Sequence, residues 1–167
     1  MLRLGVDVGG TFIKAGVVDE SCAILHKVSV PTGGDAGFDT SVQHIAHAAE
    51  LAAQEAGLQV KDLASIGIGI PGLLNPRTGV VVSAPNLSGW QNVPFRDAIQ
   101  KLLPVPVYVG NDANCAVVGE TLAGAAKGYA NVVMLTLGTG VGGGIVADGK
   151  LFVGGQGLGA ELWHMAL

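Results

Sequence analysis

The sequence predicts an α/β protein built on a mixed sheet, followed by the opening of a second unit of similar design. Three observations lead there. Short runs of aliphatic and β-branched residues alternate with helical patterns in the order βββαβαβα, then ββ. Glycine punctuates these runs, and 27 glycines in 167 residues imply many tight turns. The texture of the first hairpin returns near residue 131, strand, glycine turn, strand, as a weak internal repeat.

Residues 2–7 and 12–19 are apolar β-type runs flanking Val8-Gly9-Gly10-Thr11, a hairpin signature, and residues 23–30 can add a third strand. Pro31-Thr32-Gly33-Gly34 then breaks the sheet. From Phe38 to about Ala56, apolar residues at Val42, Ile45, Ala49, Ala52 and Ala53 have helical spacing, and Gly57 is placed to cap the C-terminus. Residues 64–70 form a buried-type strand ending at Pro71-Gly72. Pro94 suits the first turn of a helix continued over 95–103. Residues 105–109 form another strand, and Asn111 is positioned as N-cap of a helix reaching about Ala123. Runs at 132–137 and 144–147 then flank Gly138-Thr139-Gly140-Val141-Gly142-Gly143, with a further turn at Asp148-Gly149.

The boundary between units is expected in the helix after Asn111, dividing residues 1–115 from 116–167, with 125–130 as the other candidate. A unit that ends after its first hairpin cannot bury its sheet face alone. The sequence therefore reads as truncated, and an exposed apolar face leaves homo-oligomerisation open.

Composition bounds the function. At 49% hydrophobic and 13% charged residues, the chain is globular rather than disordered. A net charge of −4 argues against nucleic-acid or anionic-membrane partners, which favour a basic face. Cys22 and Cys115 are too few for a disulfide framework and neither lies in a CxxC. No signal-peptide core or membrane-length apolar run is present, so the expected location is cytoplasmic. Without a secretion signal, the glycosylation pattern Asn86-Leu87-Ser88 is read as coincidence.

Asp7-Val8-Gly9-Gly10-Thr11 admits two readings: a plain hairpin with an exposed aspartate, or a phosphate loop. In the second, the two glycines take positive φ and bring backbone N–H groups to an anion. Thr11 adds a hydroxyl, Asp7 can hold a metal ion, and Lys14 offers positive charge. Gly138-Thr139-Gly140 supplies a second such turn, as a clamp on a polyphosphate requires. Gly138, Gly140 and Gly143 also fit GxGxxG, but a strand rather than a helix follows, which rejects a dinucleotide site. No P-loop motif occurs. Asn111-Asp112 sits where a strand gives way to a helix, so Asp112 can face a ligand crevice as a proton acceptor or simply cap the helix. His44 and His47 are read as solvated surface residues, and Trp90 either stacks on a ligand or packs after a turn. Cys115 is read as a small buried residue rather than a nucleophile.

These motifs occur together in one family. Asp7-Val8-Gly9-Gly10-Thr11 with Lys14, Gly69-Ile70-Pro71-Gly72, Asn86-Leu87-Ser88-Gly89-Trp90, Asn111-Asp112-Ala113-Asn114, Gly119-Glu120 and the 137–144 glycine run stand in the order seen in ROK-family sugar kinases. The chain resembles about the first half of such an enzyme, most closely the bacterial glucokinases. The resemblance implies an actin/hexokinase-type fold of two ribonuclease-H-like domains that closes over ATP and a hexose. It makes Asp112 the base for the sugar's 6-hydroxyl and places Asn86, Asn111, Asp112 and backbone near Gly72 at the sugar. It sets Gly9, Gly10, Thr11, Gly138, Thr139 and Gly140 around the phosphates, with Asp7 near Mg²⁺. Glu161 and His164 correspond to sugar-contacting residues, although Trp163 stands where the family has glycine. A zinc site would require cysteines of a longer form.

The expected function is ATP-dependent phosphorylation of a hexose, glucose first, at its 6-hydroxyl. The alternative is a non-catalytic sugar-binding fragment or paralogue of the same fold. The family's repressor branch is disfavoured, because the first hairpin begins at residue 2 and leaves no room for a preceding helix-turn-helix. The choice of hexose, and of ATP against polyphosphate as donor, is left open by spacing alone.

Overall fold

Alternation of side chains decides the first sheet. In the computed structural model, which describes residues 1–137, 140–155 and 159–160, β1 (Arg3–Val8) and β2 (Phe12–Val18) pair antiparallel. The register sets Leu4, Val6 and Val8 opposite Val17, Ala15 and Ile13, and all six are buried. The other face of the same pair carries Gly5 opposite Gly16 and Asp7 opposite Lys14. β3 (Ile24–Pro31) adds to β2 as the edge strand, where its terminal proline is tolerated.

α1 (Phe38–Glu55) covers the apolar face, burying the predicted Val42, Ile45, Ala49, Ala52 and Ala53. Alanine at so many contact positions lets the helix lie close to the sheet without voids. Its end is also as expected. Gly57 adopts φ 72°, its N–H donates to Gln54 and the N–H of Leu58 donates to Ala53, the paired bonds of a Schellman motif.

β4 (Ile66–Ile70) runs parallel to β1. The segment after it departs from expectation. β5 (Leu73–Asn75), β6 (Val80–Ser83) and β7 (Gln91–Val93) make a separate antiparallel sheet that the predicted element order lacks. These strands have three or four residues each, too short to show a period. Their turn signal was nonetheless present. The Asn75 side chain accepts from the N–H of Arg77 and of Thr78, and Gly79 sits at φ 73°.

α2 (Phe95–Gln100) ends earlier than the predicted 103, and Pro94 is its N-cap rather than a first-turn residue. The Gln100 side chain ends the helix by donating to the carbonyls of Leu103 and Val105 and accepting from the N–H of Val107. β8 (Val107–Asn111) then pairs parallel to β4, completing the order β3-β2-β1-β4-β8.

α3 (Asp112–Ala123) leads to a second sheet, β9 (Val132–Leu137), β10 (Val141–Ala147) and β11 (Lys150–Leu151), in the order β11-β10-β9. β10 begins three residues before the predicted 144 because Val141, Gly142 and Gly143 extend the ladder against Leu137, Thr136 and Leu135. No helix among the described residues is long and apolar enough to cross a membrane.

Candidate functional site

Pairing places the first charges. Asp7 and Lys14 are cross-strand neighbours on the open face of the first sheet, and the lysine Nζ lies 3.7 Å from the carboxylate. Both side chains are more than half exposed, so the pair adds little stability and is available to a ligand.

The glycine turn between β1 and β2 closes with the N–H of Gly9 donating to Phe12 at 2.9 Å. Neither Gly9 nor Gly10 uses a positive φ, contrary to expectation. Gly9 is required for a different reason: a Cβ there would stand 2.9 Å from the Phe12 carbonyl oxygen. Gly10 is exposed at the tip, and its Cβ position is 3.6 Å from Cβ of Asn86. The hairpin tip and Asn86 are thus neighbours.

Asn86 is presented by a loop whose Leu87 and Trp90 are anchored in the core. Trp90 packs at 5.1 Å from both the Phe38 and Phe95 rings, so of its two readings packing is the one realised. Gly72 adopts φ 90°, and a side chain there would collide with Ser83 and Ala84 backbone. Its carbonyl accepts from Asn111 Nδ2 at 3.1 Å. Asn111 also caps α3, its Oδ1 accepting from the N–H of Asn114 at 3.0 Å. One amide therefore joins the turn after β4 to the start of α3.

Asp112 opens α3 and is half-buried, with Oδ1 accepting from the N–H of Ala113 at 2.8 Å. Gly69 lies beside it, its Cβ position at an ordinary contact distance of 3.4 Å from Asp112 Cα. A cleft of about 810 Å³ is lined by Asp7, Lys14, Asp112, Cys115 and Thr136, among others. Asp7, Lys14 and Asp112 thus border one space, with β9 contributing Thr136 on the side that leads to the second glycine turn. Cys115, read above as buried, is instead exposed as a residue. Its sulfur nevertheless sits against backbone, because a Cβ at Gly110 would stand 2.9 Å from Sγ. Burial first, then the negative charges of Asp112 and Asp7, push the Cys115 thiol above its ordinary range.

A smaller cavity of about 330 Å³ adjoins Gly72, Asn111 and Asn114. Asn114 Oδ1 is buried without a hydrogen-bond partner, a polar group missed by the sequence reading although its motif was noticed. Asn86 lines neither cavity. Among the remaining predicted site residues, Gly140 is exposed in the three-residue link between Leu137 and Val141. Gly138, Thr139, Glu161 and His164, with Trp163, lie outside the described residues. His44 is not a solvated surface residue: it is half-buried and its Nδ1 is 2.9 Å from the Thr32 carbonyl. No cluster of metal-ligating side chains occurs among the described residues. The exposed Asp7 carboxylate on the cleft does suit Mg²⁺, which binds through one or two carboxylates together with substrate phosphates.

Comparison with known proteins bears on this arrangement. A family model described as ROK matches residues 3–167. The chain is 40% identical to a glucokinase of Thermotoga maritima over 167 residues, covering 98% of this chain and 50% of that protein. Among solved structures, a ROK hexokinase from Thermus thermophilus superposes with a TM-score of 0.88 at 41% identity, over all of this chain and 54% of the other. A ROK-family glucokinase from Streptomyces griseus, solved in complex with glucose and AMPPNP, gives 0.89 at 39% identity, over all of this chain and 51% of the other. The chain spans about half the length of the curated relatives it matches. With the observed strand order, these neighbours establish the actin/hexokinase-type fold.

Proposed function

This chain belongs to the ROK family, and from that premise we propose that it supplies the sugar- and phosphate-binding half of an ATP-dependent hexose kinase acting on a 6-hydroxyl, with glucose as the first candidate. The observation that carries the reading is the single cleft bordered by Asp7, Lys14, Asp112 and Thr136, beside the glycine hairpin.

Each residue has a role in phosphoryl transfer, where positioning and charge neutralisation account for most of the catalysis. Asp112, held at the helix start by the Ala113 N–H, accepts the proton of the sugar hydroxyl as that oxygen attacks phosphorus. Asn111 and Asn86 bond sugar hydroxyls, and the backbone at Gly72 shapes the pocket wall. Among the described residues Asn111 keeps one N–H and one lone pair for this use, since Gly72 and Asn114 occupy the others. Gly9, Gly10 and Thr11 meet the phosphates from one side, and Gly138, Thr139 and Gly140 meet them from the other. Lys14 contributes positive charge. Asp7 would hold Mg²⁺, which when bound supplies charge neutralisation to the phosphate oxygens. Glu161 and His164 are assigned to the sugar by the family motif.

The test is Asp112→Asn in the full protein. Asparagine keeps the size and the hydrogen bond to Ala113 but cannot take a proton at neutral pH. Turnover is expected to fall by at least about 100-fold with little change in sugar affinity. An unchanged kcat would end the assignment of Asp112 as base. Heat measured on titrating glucose and AMPPNP into the 167-residue chain separates catalysis from sugar binding alone, since a non-catalytic half would bind the sugar and ignore the nucleotide.

A further inference from the structure

Thr32 and Ser41 are the buried polar side chains among the described residues, and Thr32 is fully buried. Every polar group it has is engaged. Its N–H donates to the Thr11 carbonyl at 2.9 Å and its hydroxyl donates to the Gly9 carbonyl at 2.7 Å. Its own carbonyl accepts from His44 Nδ1 at 2.9 Å, which ties the segment to α1. The chain bends tightly past that ring: Gly33 has φ 64°, and a Cβ there would lie 3.0 Å from the imidazole.

The consequence lies in the Gly9–Gly10 peptide. In a trans peptide the C=O and the N–H point in opposite directions. Fixing the Gly9 carbonyl inward on the Thr32 hydroxyl therefore aims the Gly10 N–H outward. That N–H has no hydrogen-bond partner among the described residues, and Gly10 is exposed beside Asn86. An oriented, unpaired backbone donor is what an anion site needs, and reorienting it on binding would cost affinity.

We propose that Thr32 is a positioning residue for phosphate recognition: its buried hydroxyl sets the Gly9–Gly10 peptide plane so that the Gly10 N–H is presented to the phosphates of the donor nucleotide, with His44 anchoring Thr32 to α1. The proposal rests on the reading of the hairpin as a phosphate grip.

The experiment compares Thr32→Val, which keeps the shape and loses the hydroxyl, with Thr32→Ser, which keeps the donor. Calorimetry on the full protein reads the affinities for Mg²⁺–AMPPNP and for glucose separately. Thr32→Val is expected to weaken nucleotide binding about tenfold, the effect of one lost hydrogen bond with an unsatisfied partner. Glucose affinity stays unchanged, and Thr32→Ser restores the nucleotide affinity. Equal weakening for both ligands, or no rescue by serine, would mean a merely structural role and overturn the proposal. Should Thr32→Val fail to fold, His44→Ala removes only the outer tie and must weaken nucleotide binding selectively; no effect overturns the proposal. Thr11→Ala serves as the control on the premise. If it weakens nucleotide binding while Thr32→Val does not, the assignment of Thr32 alone is wrong. If neither does, the phosphate-grip reading itself fails.

Discussion

Cys115 shows how much one residue reports on its surroundings. Its thiol is raised by burial of the sulfur and then by Asp112 and Asp7, so the thiolate appears only at higher pH than in an unstructured peptide. The sign follows from both causes: burial penalises the thiolate, and two carboxylates disfavour a third anion. The pH profile of alkylation by iodoacetamide is expected to have its midpoint above that of a free thiol, and Asp112→Asn should move it back down. A midpoint insensitive to Asp112→Asn would mean that the carboxylate does not face the sulfur. At this scale Gly9 is equally instructive. Its place in the turn was evident from sequence, but the assumed cause, positive φ, was not the operative one; the close Phe12 carbonyl is.

The element on which the site depends is α3. Asp112 opens its first turn and Asn111 caps it, so any shift of the helix moves both. It is wedged between backbone surfaces, with Gly69 and Gly110 beside Asp112 and Cys115, and Gly142 and Gly144 against Ala113 and Val117. A helix gripped on two sides has no single apolar stripe, which is why its sequence shows little amphipathic pattern. A Cβ on Gly144 would come within 2.9 Å of both Val117 Cβ and the Ala113 carbonyl, whereas one on Gly5 would meet nothing within 4 Å. Gly144→Ala is therefore expected to destabilise the chain by about 1–3 kcal/mol in urea denaturation, with Gly5→Ala nearly neutral. Equal midpoints for the two variants would show that α3 is not packed on β10 as described.

Over the whole molecule, the two sheets differ in how they are finished. The first buries one face under α1, while the second has α3 on one side and leaves Val133, Leu135 and Leu137 exposed at 67%, 55% and 80% on the other. An apolar row of that kind binds solvatochromic dyes. Leu135→Lys should reduce ANS fluorescence of the 167-residue chain without altering its far-ultraviolet spectrum. A signal unchanged by the substitution would place the dye elsewhere. The expected apolar face of the second unit thus exists. The division of the chain at residue 115/116 remains a proposal, made awkward by α3, which runs across that point and touches both sheets.

Local sequence determined the parts whose causes are local. Hairpin β1–β2, the alanine face and glycine cap of α1, and the Asn111 cap of α3 follow from periodicity and turn chemistry within a few residues, and the ordered motifs carried the family. Tertiary structure alone decided what depends on distant neighbours. Only the parallel pairing of β1, β4 and β8 brings Asp7 and Asp112 to one cleft across about a hundred residues of chain. Only packing of the loop after β6 sets Asn86 beside Gly10 and withdraws Trp90 into the core. Thr32 looked like a strand breaker; folding made it the internal support of the glycine turn, because a buried hydroxyl must find an acceptor and the one it meets is the Gly9 carbonyl.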